Sequence, residues 1–267
     1  MTEETVSDPK GQRPIVIKIG GSTLGSGDTT LEDVVAMQRQ GLAPVVVHGG
    51  GQVISKWMER TGAAPRFVRG MRVTDEAALD IVLAVLTGLV NKQLVASVLA
   101  LGGKAMGFSG ADGGILRART LDPDLGYVGD ITDVDAGPVR DMTAMGWIPI
   151  IAPVAVGLNG GPEATLYNIN GDVAAGELAA ALEAERLIYL TDVDGVMDAS
   201  RRKIPRLLPE QAQALIEHGV AAGGMIPKLE ACLKALPHVG TAEILDGRGP
   251  HALLECLEGK GKGTRVG

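Results

Sequence analysis

The sequence has few aromatic residues, few cysteines and few histidines. Of 267 residues, two are Trp, three Tyr and two Phe. Proteins that hold single-stranded nucleic acid stack bases on aromatic faces, so this chain offers few such platforms. Lys and Arg number 25 against 32 Asp and Glu, a net charge of −7 that leaves no basic footprint for DNA or RNA. Cys232 and Cys256 form no CxxC pair and cannot by themselves complete a four-ligand zinc site. They read as small apolar residues on helices. His48, His218, His238 and His251 show no metal-ligand spacing and read as structural. No apolar stretch is expected to reach the ~18 residues of a membrane span. Residues 1–14 lack the apolar core of a secretory signal and read as a flexible tail, so a cytoplasmic protein is expected. The P-loop, GxGxxG and HExxH patterns are missing. So is the GxSxG elbow, which Gly107-Phe108-Ser109-Gly110-Ala111 approaches and misses at its last position.

What is present is apolar and rich in glycine. Apolar side chains make up 45% of the chain, which contains 38 Gly. That is about twice the usual glycine share of roughly 7%. The glycines cluster at the ends of apolar runs, which suggests backbone approaching a ligand. Ile15 to Ile19 reads as a buried strand running into Gly20-Gly21, and Pro44 to Val47 as another running into His48-Gly49-Gly50-Gly51. Helices are expected from Thr29 to Gln40, from Gln52 to Gly62 and from Thr74 to Ala100. This strand–glycine–helix grammar recurs along the chain. It predicts an α/β fold with a mainly parallel sheet and crossover helices. Short β pieces between Ile115 and Val134 read as hairpins over an opening. A change of texture near residue 180 suggests two lobes, 15–180 and 181–267, on one continuous sheet.

Several residues stand out chemically. Consecutive glycines between a strand and a helix expose N–H groups at the positive end of the helix dipole, which makes an anion site without basic side chains. Gly20-Gly21 and Gly49-Gly50-Gly51 both fit. Lys18 interrupts an apolar strand, and a lysine there is costly unless it is paired or faces a site. Asn168, Asn170 and Asp172 alternate just before an Ala-rich helix; one can cap it, which leaves two for a ligand. Arg72 and Lys228 each lie at a helix start and read on their own as surface residues. Arg72 gains meaning only as a two-pronged carboxylate clamp.

Assembled in order, these pieces resemble the amino acid kinase family, and within it the branch that phosphorylates N-acetyl-L-glutamate. The resemblance runs from Ile15 to Thr264. It is carried by Lys18-Ile19-Gly20-Gly21, Val47-His48-Gly49-Gly50-Gly51, Gly70-Met71-Arg72-Val73-Thr74, Asn91-Lys92 and Gly107-Phe108-Ser109-Gly110. It continues through Leu125-Gly126-Tyr127-Val128-Gly129, Asn168-Ile169-Asn170-Gly171-Asp172, Leu190 to Val196, Gly224-Met225-Ile226-Pro227-Lys228 and Gly261-Lys262-Gly263-Thr264. The resemblance implies a three-layer α/β/α sandwich with the acceptor in the N-terminal lobe and ATP, carrying Mg²⁺, in the C-terminal lobe.

By position, Lys18 and Lys228 would stabilise the transferring phosphoryl group and Asp172 would hold both lysines. Gly20 and Gly21 would donate to phosphoryl oxygens, and Gly50 and Gly51 would contact the acceptor. Arg72 and Asn168 would grip its α-carboxylate. Asp192, Val193, Asp194, Gly195, Val196 and Met197 would lie along ATP, with Met225 nearby and no protein-bound metal. A carboxylate acceptor needs no general base, in keeping with the lack of a convincing catalytic histidine. The resemblance also implies an arginine-insensitive homodimer with neither nucleic acid nor membrane as partner. The alternatives are a kinase for carrier-linked α-aminoadipate and a non-catalytic nucleotide sensor on the same fold.

Overall fold

In the first strand, β1 (Ile15–Ile19), side chains alternate between two cores. Ile15, Ile17 and Ile19 enter one and Val16 the other, as the period of two requires. The computed structural model describes residues 13–20, 29–68, 70–158 and 164–267. Gly21 therefore lies outside the described residues. From β1 the chain runs through α1 (Thr30–Arg39), β2 (Pro44–His48), α2 (Gly51–Arg60), and the short strands β3 (Phe67–Val68) and β4 (Met71–Arg72). Next come α3 (Glu76–Leu83), a π-helical turn (Ala84–Val90), α4 (Asn91–Ala100), β5 (Ala105–Ser109), β6 (Leu116–Thr120) and β7 (Gly129–Val134). α5 (Gly137–Ala144), β8 (Ile148–Ala152), β9 (Val154–Leu158), β10 (Ala164–Asn168), α6 (Gly171–Leu182) and β11 (Arg186–Thr191) follow. The chain closes with β12 (Arg206–Leu207), α7 (Pro209–Glu217), α8 (Met225–Ala235), β13 (Thr241–Asp246), α9 (Ala252–Leu257) and β14 (Thr264–Val266).

Among the described residues, eight strands form the main sheet in the order β12-β14-β13-β11-β1-β2-β8-β5. Its pairings are parallel except β13 with β14. On one face, Val16, Val47, Leu187 and Ile244 pack with Ala174 and Leu178 of α6 and Leu229 of α8. On the other, Ile17, Val46, Ile150 and Leu190 pack with Val34 of α1, Ile54 of α2 and Val82 of α3. The three-layer α/β/α sandwich with a mainly parallel sheet is thus the observed architecture, and the sheet runs without a break across residue 180. A second, four-stranded sheet, β10-β9-β6-β7, contains the antiparallel β6–β7 pair, where hairpins are expected between Ile115 and Val134, and the antiparallel β9–β10 pair. Residues 159–163, between β9 and β10, lie outside the described residues.

One expectation needs correcting. Residues Glu76–Ala100 form a single helical stretch of 25 residues, long and apolar enough by length and composition to cross a membrane. Part of that apolarity has a local cause. Val82, Val85, Leu86, Leu94 and Val98 on one side of this stretch are buried in the core against the sheet. Asp75 caps its start by accepting a hydrogen bond from the Ala78 N–H at 2.9 Å. The two cysteines are free and buried, Cys232 on α8 and Cys256 on α9. Burial, more than the neighbouring Glu243, pushes the Cys256 thiol up to about 12.

Candidate active site

The polar centre forms where β1 meets the start of α6 and α8. Lys18 has the same parity as Val16, so its side chain emerges on the face covered by α6 and α8. Asn170 caps α6 by accepting from the N–H groups of Asp172 at 2.8 Å and Val173 at 3.3 Å. Of the three alternating polar residues, Asn170 is therefore the cap, and Asp172 stands in the first helical turn. Lys18 Nζ lies 2.8 Å from Asp172 Oδ1 as an ion pair. Lys228 Nζ donates to Asp172 Oδ2 at 2.9 Å and to the Gly224 carbonyl at 3.2 Å. Lys18 and Asp172 are buried, Asp172 at 7% side-chain exposure, and Lys228 is half-buried. Burial alone would push the Asp172 carboxyl up; Lys18 and Lys228 overcome it and hold the group below the usual carboxylate range. Asp172 is thus an anion that organises two cations, not a group poised to accept a proton.

A cleft of about 220 Å³ opens onto this centre and brings together Lys18, Gly20, Gly51, Asp192 and Lys228. Gln52, Leu190 and Thr191 complete its wall. β1 and β2 are neighbours in the sheet, so the loops that follow them meet, and the Gly49 N–H donates to the Ile19 carbonyl at 2.9 Å. Gly50 is the N-cap of α2 and Gly51 its first residue, which puts the positive end of that helix at the cleft.

His48 braces the glycine loop from below. Its ring is fully buried. The Asn91 amide donates to Nε2 at 3.2 Å, so Nδ1 carries the proton and donates to the Gly49 carbonyl at 2.8 Å. Asn91 follows the π-helical turn and also donates to the Ile150 carbonyl at 2.9 Å. Burial, more than the nearby Lys18 and Lys92, pulls His48 down to about 4. A histidine kept neutral in the native state but free to charge when unfolded weakens the fold as pH falls from 6.5 to about 4. The shift amounts to about 3 kcal/mol. Urea unfolding at pH 7 and pH 5 should show that loss beginning, and His48→Gln should flatten it. An equal pH slope in the variant would contradict the assignment.

Arg72 is buried beside the same loop. Its Nη2 donates to the Gly51 carbonyl at 2.9 Å and to Ser55 Oγ at 2.8 Å, and Nη1 lies 3.1 Å from Met58 Sδ. The guanidinium also stacks 4.8 Å from the Phe67 ring centroid. Desolvation lowers its pKa from the usual value. Thr74 Oγ1 donates to the Arg72 carbonyl at 3.0 Å and accepts from Asn168 Nδ2 at 3.1 Å. Arg72 and Asn168, far apart in sequence, therefore share one network.

The segment after β11 is mixed in character. Asp192, Val193 and Asp194 are exposed, and Asp194 lies 3.8 Å from Arg248. The Val196 side chain is 1% exposed in the core, and its N–H donates to Thr264 Oγ1 at 2.8 Å. Gly195 has φ +133°, and a Cβ there would stand 2.7 Å from Thr264 Oγ1, so only glycine lets the loop turn against the β14 strand. Met197 is half-buried and bridges to Lys203. Met225 begins α8, packed against the core.

The sequence pattern of the amino acid kinase family matches residues 13–244. An acetylglutamate kinase of Dehalococcoides mccartyi is 45% identical over 254 residues, covering 94% of this chain and 93% of that protein. The chain belongs to the amino acid kinase family. An acetylglutamate kinase of Heliobacterium modesticaldum is 42% identical and covers 95% of this chain and 92% of that one. The solved structure of smu.665 from Streptococcus mutans UA159 superposes with a TM-score of 0.79 at 30% identity, covering 95% and 98% of the two chains. Within this amino acid kinase, the residues that sequence reasoning passed over are Gln52, Thr191, Ser55 and Thr74. The first two line the cleft and the others hold Arg72. Adjacency to Gly51 and to the end of a buried strand was the signal for Gln52 and Thr191.

Proposed function

We propose that the chain transfers the γ-phosphoryl group of ATP to the side-chain carboxylate of N-acetyl-L-glutamate, giving N-acetylglutamyl 5-phosphate and ADP in arginine biosynthesis. The observation that carries this reading is the Lys18–Asp172–Lys228 bridge opening into the same cleft as Gly20 and Gly51. Acetylglutamate kinases 42–45% identical over nearly the whole chain support it.

A carboxylate oxygen is already ionised at neutral pH, so no base is needed. The barrier is repulsion between two anions, and catalysis is positioning plus charge stabilisation. The acceptor oxygen forms a bond to the γ-phosphorus as the bond to the β-bridging oxygen breaks, and the electron pair leaves with ADP. Lys18 and Lys228 stabilise the charge spread over the transferring group, assisted by the start of α2 and by N–H donation from Gly20 and Gly21. Arg72 and Asn168 take the α-carboxylate on the acceptor side, within residues 15–180. The nucleotide lies along residues 192–197 and near Met225, within residues 181–267. In this reading Mg²⁺ enters on ATP. β5 is one edge of the main sheet. Its Met106, and Leu99 of α4, leave apolar surface there, which supports a homodimer across that edge.

Hydroxylamine trapping tests the product. An acyl phosphate gives a hydroxamate in proportion to ADP, whereas phosphorylation of a hydroxyl or amine gives none. Arg72→Lys should raise the KM for acetylglutamate ~10-fold with little change in that for ATP, because an ammonium cannot replace a planar fork. A changed KM for ATP with an unchanged one for the acceptor would place Arg72 on the wrong ligand.

A further inference from the structure

Helices α6 and α8 carry Asp172 and Lys228, and they come into close contact about one turn further along each helix, at Gly176 and Ala231. A Cβ built on Gly176 would stand 2.9 Å from Ala231 Cβ, 3.1 Å from the Ala231 carbonyl oxygen and 3.3 Å from Tyr189 Oη. The first distance is shorter than real carbon contacts allow, so a side chain at this position forces the two helices apart. Gly176 follows Asp172 by four residues and Ala231 follows Lys228 by three. Each contact residue therefore lies on the same helical face as the charged residue it follows. Tyr189 closes the third side. It is fully buried on β11, directly opposite Lys18 in the parallel register. Its hydroxyl donates to the Asp172 carbonyl at 2.9 Å. Burial raises the Tyr189 pKa well above the usual value, so the hydroxyl stays a donor. The phosphoryl chemistry makes no use of any of these three residues.

We infer that Gly176, Ala231 and Tyr189 form a positioning joint that sets the spacing of Lys18, Asp172 and Lys228, so that bulk at residue 176 lowers turnover without weakening substrate binding. The inference rests on the phosphoryl-transfer role proposed above for the two lysines. The joint ties together the strand beside Lys18, the helix of Asp172 and the helix of Lys228. Moving α8 away from α6 moves one ammonium group relative to the other across a single carboxylate. A displacement on the order of 1 Å in such a constellation costs ~10²-fold in rate.

The test is steady-state kinetics of the full chain with ATP and N-acetyl-L-glutamate. Gly176→Ala should lower kcat by ~10–100-fold with both KM values within about twofold of wild type. Adding Ala231→Gly to that variant should restore most of the loss, because it removes the opposing methyl group. Tyr189→Phe, which deletes one oxygen, should lower kcat by ~3–10-fold at unchanged KM, and it decides the matter if Gly176→Ala does not fold. A folded Gly176→Ala variant with wild-type kcat would overturn the inference. So would a loss that Ala231→Gly leaves untouched, or wild-type turnover in Tyr189→Phe when Gly176→Ala does not fold. Inactive wild-type protein would instead overturn the proposed function. A crystal structure of Gly176→Ala then reads the joint: ammonium groups displaced relative to Asp172 support it, and unchanged ion pairs contradict it.

Discussion

Lys18→Ala is expected to lower kcat by ~10²–10³-fold, the scale for removing one preorganised charge donor from a transition state. The expectation follows from placement. Lys18 is a cation in the middle of a β-strand flanked by fully buried isoleucines, 8% exposed and held 2.8 Å from Asp172. Nothing about β1 itself needs a charge at that position, and an apolar residue would suit the strand better. The variant should therefore fold and bind ATP while turning over slowly, and Lys228→Ala should behave alike. Turnover near the wild-type value in a folded Lys18→Ala protein would remove the lysine from the chemistry.

Asp172→Ala should destabilise the protein by ~3–5 kcal/mol as well as abolish turnover, because it leaves two largely buried ammonium groups without a counter-charge. Urea unfolding at pH 7 measures the first effect. Asp172→Asn keeps the shape but not the charge; it should recover part of the stability and little of the activity. The sign with pH follows from the depressed pKa. The stability contributed by Asp172 is present above the usual value of 3.8 and is lost as pH falls through its lower folded value. A stability change for Asp172→Ala below ~1 kcal/mol, the range of an exposed pair, would show that the bridge is solvated rather than buried.

Much of the site is legible in the sequence because it breaks local rules. Lys18 in an apolar strand, glycine pairs where strands end, and three alternating polar residues before a helix are each costly or redundant unless a ligand explains them. What could not be read depends on geometry that no local pattern encodes. Asn168, Asn170 and Asp172 could each have capped α6; the register at which the helix starts gives that role to Asn170. Residues 192–197 read as one nucleotide-facing loop, yet Val196 turns into the core where Gly195 meets Thr264. Arg72 reads as a surface residue because its partners Gly51 and Ser55 arrive from helix α2. Strands as short as β12 and β14 carry too few residues to show a period. Part of the apolarity of residues 76–100 reflects burial against the sheet, which sequence alone does not separate from burial in lipid.

The most direct test of the central claim is acceptor-dependent ADP release by the purified protein with Mg·ATP, comparing N-acetyl-L-glutamate, aminoadipate derivatives and aspartate. Rapid release that saturates with N-acetyl-L-glutamate, is far slower with the other acceptors and is lost in Lys18→Ala is the predicted result. Absence of acetylglutamate-dependent release, or faster release with an aminoadipate derivative, would contradict it.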